Sequence, residues 1–126
     1  MKVLVDTSVW VGHFKQRDEH LVALLDAGRV VCHPQIVVEI ACGTPPDRRA
    51  VITLLAQLDS PPVASTDEIL ALIDRRGLQG RGCGCVDLGL LASALIDGHT
   101  RIWTWDKRLD SVADELGVAY RPALTS

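Results

Sequence analysis

Positive charge, aromatic residues, cysteine pairs and long apolar runs are all scarce in this sequence, and each scarcity closes off a class of protein. The formal charge is −3, so a uniformly basic surface that coats nucleic acid is excluded. Only five aromatics occur, Trp10, Phe14, Trp103, Trp105 and Tyr120, and the core must therefore be built almost wholly from aliphatic side chains. No apolar run approaches the roughly 18 residues that a membrane span needs, so no membrane association is expected. Nor is the start that of a signal peptide: Met1-Lys2 leads into Val3-Leu4-Val5 and at once meets Asp6. The expectation is a cytoplasmic protein. Four cysteines, Cys32, Cys42, Cys83 and Cys85, are too few and too unevenly placed for a disulfide framework. Cys83-Gly84-Cys85 lacks both the usual spacer and the second ligand pair of a structural zinc site, and reads as core or loop thiols.

What is present fits one compact domain, residues 1–126, with the 48% hydrophobic content of a globular chain. The small net charge hides a distribution. Setting aside Asp6, Glu39, Asp87 and Asp106 leaves 12 acidic against 13 basic side chains, so the rest of the molecule is about neutral. Acids gathered on a neutral body suit a cation site better than a generally acidic protein.

Short apolar stretches alternate with amphipathic ones. Lys2-Val3-Leu4-Val5 reads as a buried strand, and Asp6-Thr7-Ser8 as the start of a helix running to Phe14. A second helix fits Asp18 to Ala27, stopped by Gly28. Val30-Val31-Cys32-His33 is the next strand candidate, and Pro34 opens a helix over Gln35 to Cys42. Val51, Leu54, Leu55 and Leu58 keep helical spacing. Val63-Ala64 is a poor strand candidate, and Ser65-Thr66-Asp67-Glu68 has capping-box spacing. A glycine-rich loop, Gly77 to Gly84, precedes a helix carrying Leu88, Leu91, Ala92 and Leu95. Arg101 to Trp105 reads as a strand, Leu109 to Leu116 as the last helix, and Val118-Ala119-Tyr120 as a final short strand. The pattern predicts a three-layer α/β/α domain with a central parallel sheet of four to five strands. Ligands of such sheets bind beyond the carboxyl ends of the strands, where strand order reverses. Asp6 and Asp106 each follow a predicted strand and so share that edge.

The four acids differ in how readily they can be explained as structural. Asp6, Asp87 and Asp106 each stand where a helix N-cap would. Glu39 lies in Ile36-Val37-Val38-Glu39-Ile40-Ala41, with apolar neighbours and no Lys or Arg within a turn. A buried, unpaired carboxylate is costly, so this one is expected to need a cation or a basic partner. Together, carboxylates at strand ends and helix starts form an oxygen-rich site suited to Mg²⁺ or Mn²⁺. His13, His20, His33 and His99 show no spacing that suggests catalysis.

The chain resembles a PIN-domain ribonuclease, and in particular the VapC toxins of bacterial type II toxin–antitoxin pairs. Val3-Leu4-Val5-Asp6-Thr7-Ser8-Val9-Trp10 is similar to the opening motif of that family. Glu39 follows in a helix at family-like distance. Gly80-Arg81-Gly82 leading to Val86-Asp87-Leu88 resembles the third block, and Trp103 to Leu109 the fourth. The resemblance covers nearly the whole length. It implies endonucleolytic cleavage of RNA requiring Mg²⁺ or Mn²⁺, a cognate antitoxin that fills the groove, and commonly a homodimer. On this reading Asp6 and Asp87 are the principal metal ligands, and Asp106 and Glu39 complete the set or act through water. Thr7, Ser8 and Thr104 orient water or a carboxylate, or are simply helix-start and strand residues. Arg81, flanked by glycines, is the expected contact for the RNA backbone.

Other chemistries also begin from an acid at a strand end. An aspartyl phosphatase wants a second Asp two residues on, where this chain has Ser8. A phosphate-accepting receiver domain wants an acid pair at its first strand, where this chain has one acid. A PIN nuclease with a housekeeping role in RNA processing, and a PIN-like domain that binds RNA or a partner without cutting, remain open at this point.

Overall fold

The computed structural model describes residues 1–123. Its frame is a parallel sheet of β1 (Lys2–Val5), β2 (Val30–Val31) and β3 (Thr100–Trp103), in the order β2-β1-β3. The central strand pairs Val3 with Val30 on one side, and Lys2 through Val5 with Thr100 through Trp103 on the other. Val3, Leu4 and Val5 are all fully buried. Successive strand residues point to opposite faces, so both faces of β1 must be covered, which is what a three-layer α/β/α arrangement requires.

The cover comes from α1 (Thr7–Lys15), α2 (Glu19–Asp26), α3 (Pro34–Ala41), α4 (Arg48–Gln57), α5 (Thr66–Arg76), α6 (Cys85–Asp97) and α7 (Lys107–Glu115). Their ends follow local chemistry. Asp18 accepts the N–H groups of His20 and Leu21 at the start of α2, His33 caps α3 ahead of Pro34, and Ser65 with Glu68 forms a full capping box on α5. Gly77 and Gly98 end α5 and α6 with φ of 63° and 76°, a left-handed conformation that glycine adopts without steric cost. Leu21, Ile36, Leu55, Leu90, Leu91, Ile102 and Leu109 fill the interior, joined by Trp10 and Trp103, so the core is mostly aliphatic with two buried indoles.

The sheet is smaller than the four to five strands expected from the sequence. β2 stops at Val31 because the Cys32 N–H turns away to the Asp59 carbonyl (2.8 Å) and His33 is already a helix cap. Val63-Ala64 makes no strand. Val118 to Tyr120 reaches the outer side of β3 through an isolated parallel bridge of Ala119 with Ile102, held by the Ile102 N–H on the Val118 carbonyl and the Tyr120 N–H on the Ile102 carbonyl. β3 ends two residues before the expected boundary, because the Trp105 N–H is taken by a side chain, Ser8 Oγ. From β1 the chain crosses to β2 on one side and later returns to β3 on the other. The order therefore reverses at β1, and the crevice this creates opens beside Asp6.

Candidate active site

Asp6 leaves the end of β1 with its backbone in N-cap position, but its side chain caps nothing. Instead Oδ2 accepts hydrogen bonds from Ser8 Oγ (2.8 Å) and Thr104 Oγ1 (2.7 Å). A hydroxyl has one proton; both protons go to Asp6, so the 3.3 Å separation of the two hydroxyl oxygens is a contact rather than a third bond. The lone pairs are used as well. Ser8 Oγ accepts the Trp105 N–H at 3.1 Å, and Thr104 Oγ1 accepts the Asp106 N–H at 3.0 Å. Asp6 and Thr104 are both buried. This network ties the end of β1, the start of α1 and the segment after β3 into one rigid corner.

The other three acids surround that corner. Asp106 is the N-cap of α7, its Oδ1 accepting from the backbone N–H groups of Arg108 (2.9 Å) and Leu109 (3.2 Å). Asp87 lies in the first turn of α6, half-buried, with the Gly84 N–H at 3.4 Å from Oδ2. Burial is the main influence pushing its carboxyl above the usual carboxylate range; the Gly84 N–H opposes this, and the nearby charges of Asp6, Asp106 and Glu39 push it up further. The four acids therefore share one electrostatic neighbourhood. Glu39 departs from expectation. It is exposed, because in α3 it is Ile36 and Ile40 that turn into the core while Val38 and Glu39 face out. Its partner is neutral: Thr7 Oγ1 donates to Oε1 at 2.7 Å.

Arg81, in the glycine-rich loop, is held by Glu115 through two short contacts of 2.7 and 3.0 Å. Arg108, which sequence reasoning did not single out, is a partner of this loop. Its side chain crosses Gly82, where a Cβ would come within 2.6 Å of Arg108 Cδ. The glycine spacing around Arg81 was the available signal that something packs there. Between the two arginines, Cys83 has its thiol pushed up by burial first and then by Asp87 and Asp106, with Arg81 and Arg108 opposing. The basic groups thus rim the acidic edge.

The donor set is hard oxygen from carboxylates, which suits Mg²⁺ or Mn²⁺. Among the described residues, no group of three acids, histidines or cysteines stands close enough to form a preformed metal cage. The two facts are compatible, because Mg²⁺ keeps several waters and takes only one or two carboxylates directly. The fit is one of chemistry and charge, with Asp87 feeling the like charges of Asp6, Asp106 and Glu39.

The model of the PIN domain family matches residues 3–115. The chain belongs to the PIN domain family. Two curated relatives, both called Ribonuclease VapC32 and coming from Mycobacterium tuberculosis strains CDC 1551 / Oshkosh and ATCC 25618 / H37Rv, are each 47% identical over 117 residues. These matches cover 93% of this chain and 94% of each relative. In this PIN domain Asp6, Asp106 and Glu39 lie near enough to Asp87 for their charges to act on it, and Thr7, Ser8 and Thr104 are hydrogen-bonded to two of the acids.

Proposed function

We propose that this PIN domain, taken as a single domain over residues 1–126, is a divalent-metal-dependent endoribonuclease and the toxin of a type II toxin–antitoxin pair. The observation that carries the nuclease reading is the joining of Asp6 to Asp106 through Thr104, with Asp87 and Glu39 close enough for the charges to act on one another. Such an arrangement is unfavourable by itself and becomes useful with a cation. Asp6 and Asp87 would hold Mg²⁺ or Mn²⁺, with Asp106 and Glu39 completing the set or acting through water. The chemistry supplied by an ion bound there is activation of water and neutralisation of charge on the phosphate.

The chain's own residues do the positioning. Ser8 and Thr104 fix the orientation of Asp6 by holding one of its oxygens, and Thr7 does the same for Glu39. Arg81 and Arg108 lie beside the acids, where a phosphate backbone would need cations. The Arg81–Glu115 pair is two-pronged but solvent-exposed, so a phosphate, which accepts the same fork of N–H groups, can compete with Glu115 for Arg81. In-line attack of water on phosphorus releases the 3′-oxygen and leaves a 5′-phosphate.

Beside Glu39, an apolar hollow of about 290 Å³ is lined by Val11, Phe14, Ile40, Pro45 and Pro46. It suits an antitoxin segment that covers the acids and stops cleavage. No helix among the described residues is long and apolar enough to cross a membrane; a cytoplasmic location and a homodimer belong to the same proposal.

The test is cleavage of single-stranded RNA. EDTA is expected to abolish it, and added Mg²⁺ or Mn²⁺ to restore it. Asp6→Asn and Asp87→Asn are each expected to remove it. EDTA-insensitive cutting, or full activity in both variants, overturns the reading. Growth arrest on induction, relieved by co-expressing the product of a short adjoining gene, separates a toxin from a housekeeping nuclease.

A further inference from the structure

We infer that Trp105 is a stacking platform for an RNA base beside the cleaved phosphate; this rests on the nuclease reading above. Trp10 and Trp103 are each 3% exposed, whereas Trp105 is 54% exposed. Its exposure does not come from a loose side chain. The six-membered ring lies against α1 at Gly12, where a Cβ would meet Trp105 Cζ3 and come within 2.6 Å of Cη2. Glycine is the poorest helix former after proline, and its place in the middle of α1 is explained by the room it gives the indole. The backbone is fixed as well, since the Trp105 N–H donates to Ser8 Oγ, which itself holds Asp6.

The ring thus stands on the same rigid corner as the acids, between Thr104 and Asp106. It also borders a cavity of about 400 Å³ whose lining includes Asp18, His20, Thr104, Asp110, Tyr120 and Arg121. Thr104 is common to that cavity and to the hydrogen bonds on Asp6. A base lying on Trp105 would be held by the residue that precedes Asp106 and is joined through Ser8 to Asp6. Aromatic platforms of this kind hold single-stranded nucleic acid through stacking, which every base can supply. Exposed aromatics scattered over a surface are ordinary; this one is seated on a helix glycine and tied through its backbone to the hydroxyl that holds Asp6.

The test measures binding of a short, mixed-sequence, fluorescein-labelled single-stranded RNA by anisotropy in an Asp87→Asn background, so that the probe stays intact. Adding W105A is expected to weaken binding by about 5- to 150-fold, the span seen for loss of one stacked base, while W105F keeps most of the affinity. Gly12→Ala, which displaces the ring, is expected to weaken binding when Trp105 is present and to add nothing to W105A. Equal binding by the parent and W105A overturns this inference and leaves the nuclease reading standing. An Asp87→Asn protein that still cuts the probe overturns the ligand role of Asp87, and the comparison with W105A is then read as the rate of cutting, where an unchanged rate overturns the platform. A parent that does not bind the probe overturns both. Circular dichroism of each variant separates loss of the platform from loss of the fold, and if W105A does not fold, W105F against Gly12→Ala decides.

Discussion

Thr104 Oγ1 serves two acids at once, donating to Asp6 Oδ2 and accepting the N–H of Asp106. Thr104→Val keeps the shape and removes both bonds, leaving a buried carboxylate oxygen and a backbone N–H short of a partner. The expected cost is about 1–3 kcal/mol in urea denaturation, the usual penalty for an unsatisfied buried group. Cleavage activity should fall about 10- to 100-fold, as for other residues that orient a metal ligand. An unchanged rate with lowered stability would reduce Thr104 to a structural residue. Single residues also show where sequence reading ends. Asp6 stands where a cap would, and its bonds with Ser8 and with a hydroxyl 98 positions away reveal that it is not one. Glu39 looked enclosed because its neighbours in sequence are apolar. In a helix the neighbours in space are three and four residues away, and Ile36 and Ile40 already define the inward face.

Among the elements, α5 shows how far local chemistry reaches. Ser65 accepts the Glu68 N–H at 3.1 Å, and Glu68 returns a bond from the Ser65 N–H at 2.9 Å. Four consecutive letters of sequence specify this arrangement completely. Ser65→Ala is expected to cost about 1 kcal/mol, read as a lowered urea midpoint, while cleavage per folded molecule is unchanged because the cap is not among the groups around the acids. A loss of specific activity larger than the loss of fold would tie α5 to the site. Helices were legible for the same reason: spacing, caps and terminal glycines all act within a few residues. Strand ends were not. β2 is cut short by a bond from Cys32 to Asp59, and Val118 to Tyr120 gains only a single bridge. Both outcomes depend on partners far along the chain. The acidic edge lies between these cases: Asp6 and Asp106 follow from the strand-end rule, whereas Asp87 needed the fold, or family likeness, to join them.

For the whole molecule, the gathered acids should set how stability responds to pH and to cations. Asp87 has its carboxyl raised above the ordinary range by burial and then by Asp6, Asp106 and Glu39. The folded protein therefore holds a proton there at pH values where the unfolded chain has lost it. That contribution to stability is full below the ordinary carboxylate range and disappears as pH rises through the raised value. At neutral pH the fold carries the uncompensated repulsion. In EDTA, Asp87→Asn should consequently melt at a higher temperature than the wild type at pH 7, with the gap closing as the pH falls into the acid range. Mg²⁺ or Mn²⁺ should raise the wild-type melting temperature at pH 7, since a ligand that binds only the folded state stabilises it by mass action. A potassium salt at matched ionic strength, which only screens charge, should do less. The ion-specific rise should shrink in Asp87→Asn and vanish in Asp6→Asn/Asp87→Asn. Equal stabilisation by potassium and magnesium would mean that the acids repel one another without forming an ion site, and divalent-dependent cleavage would then need another origin.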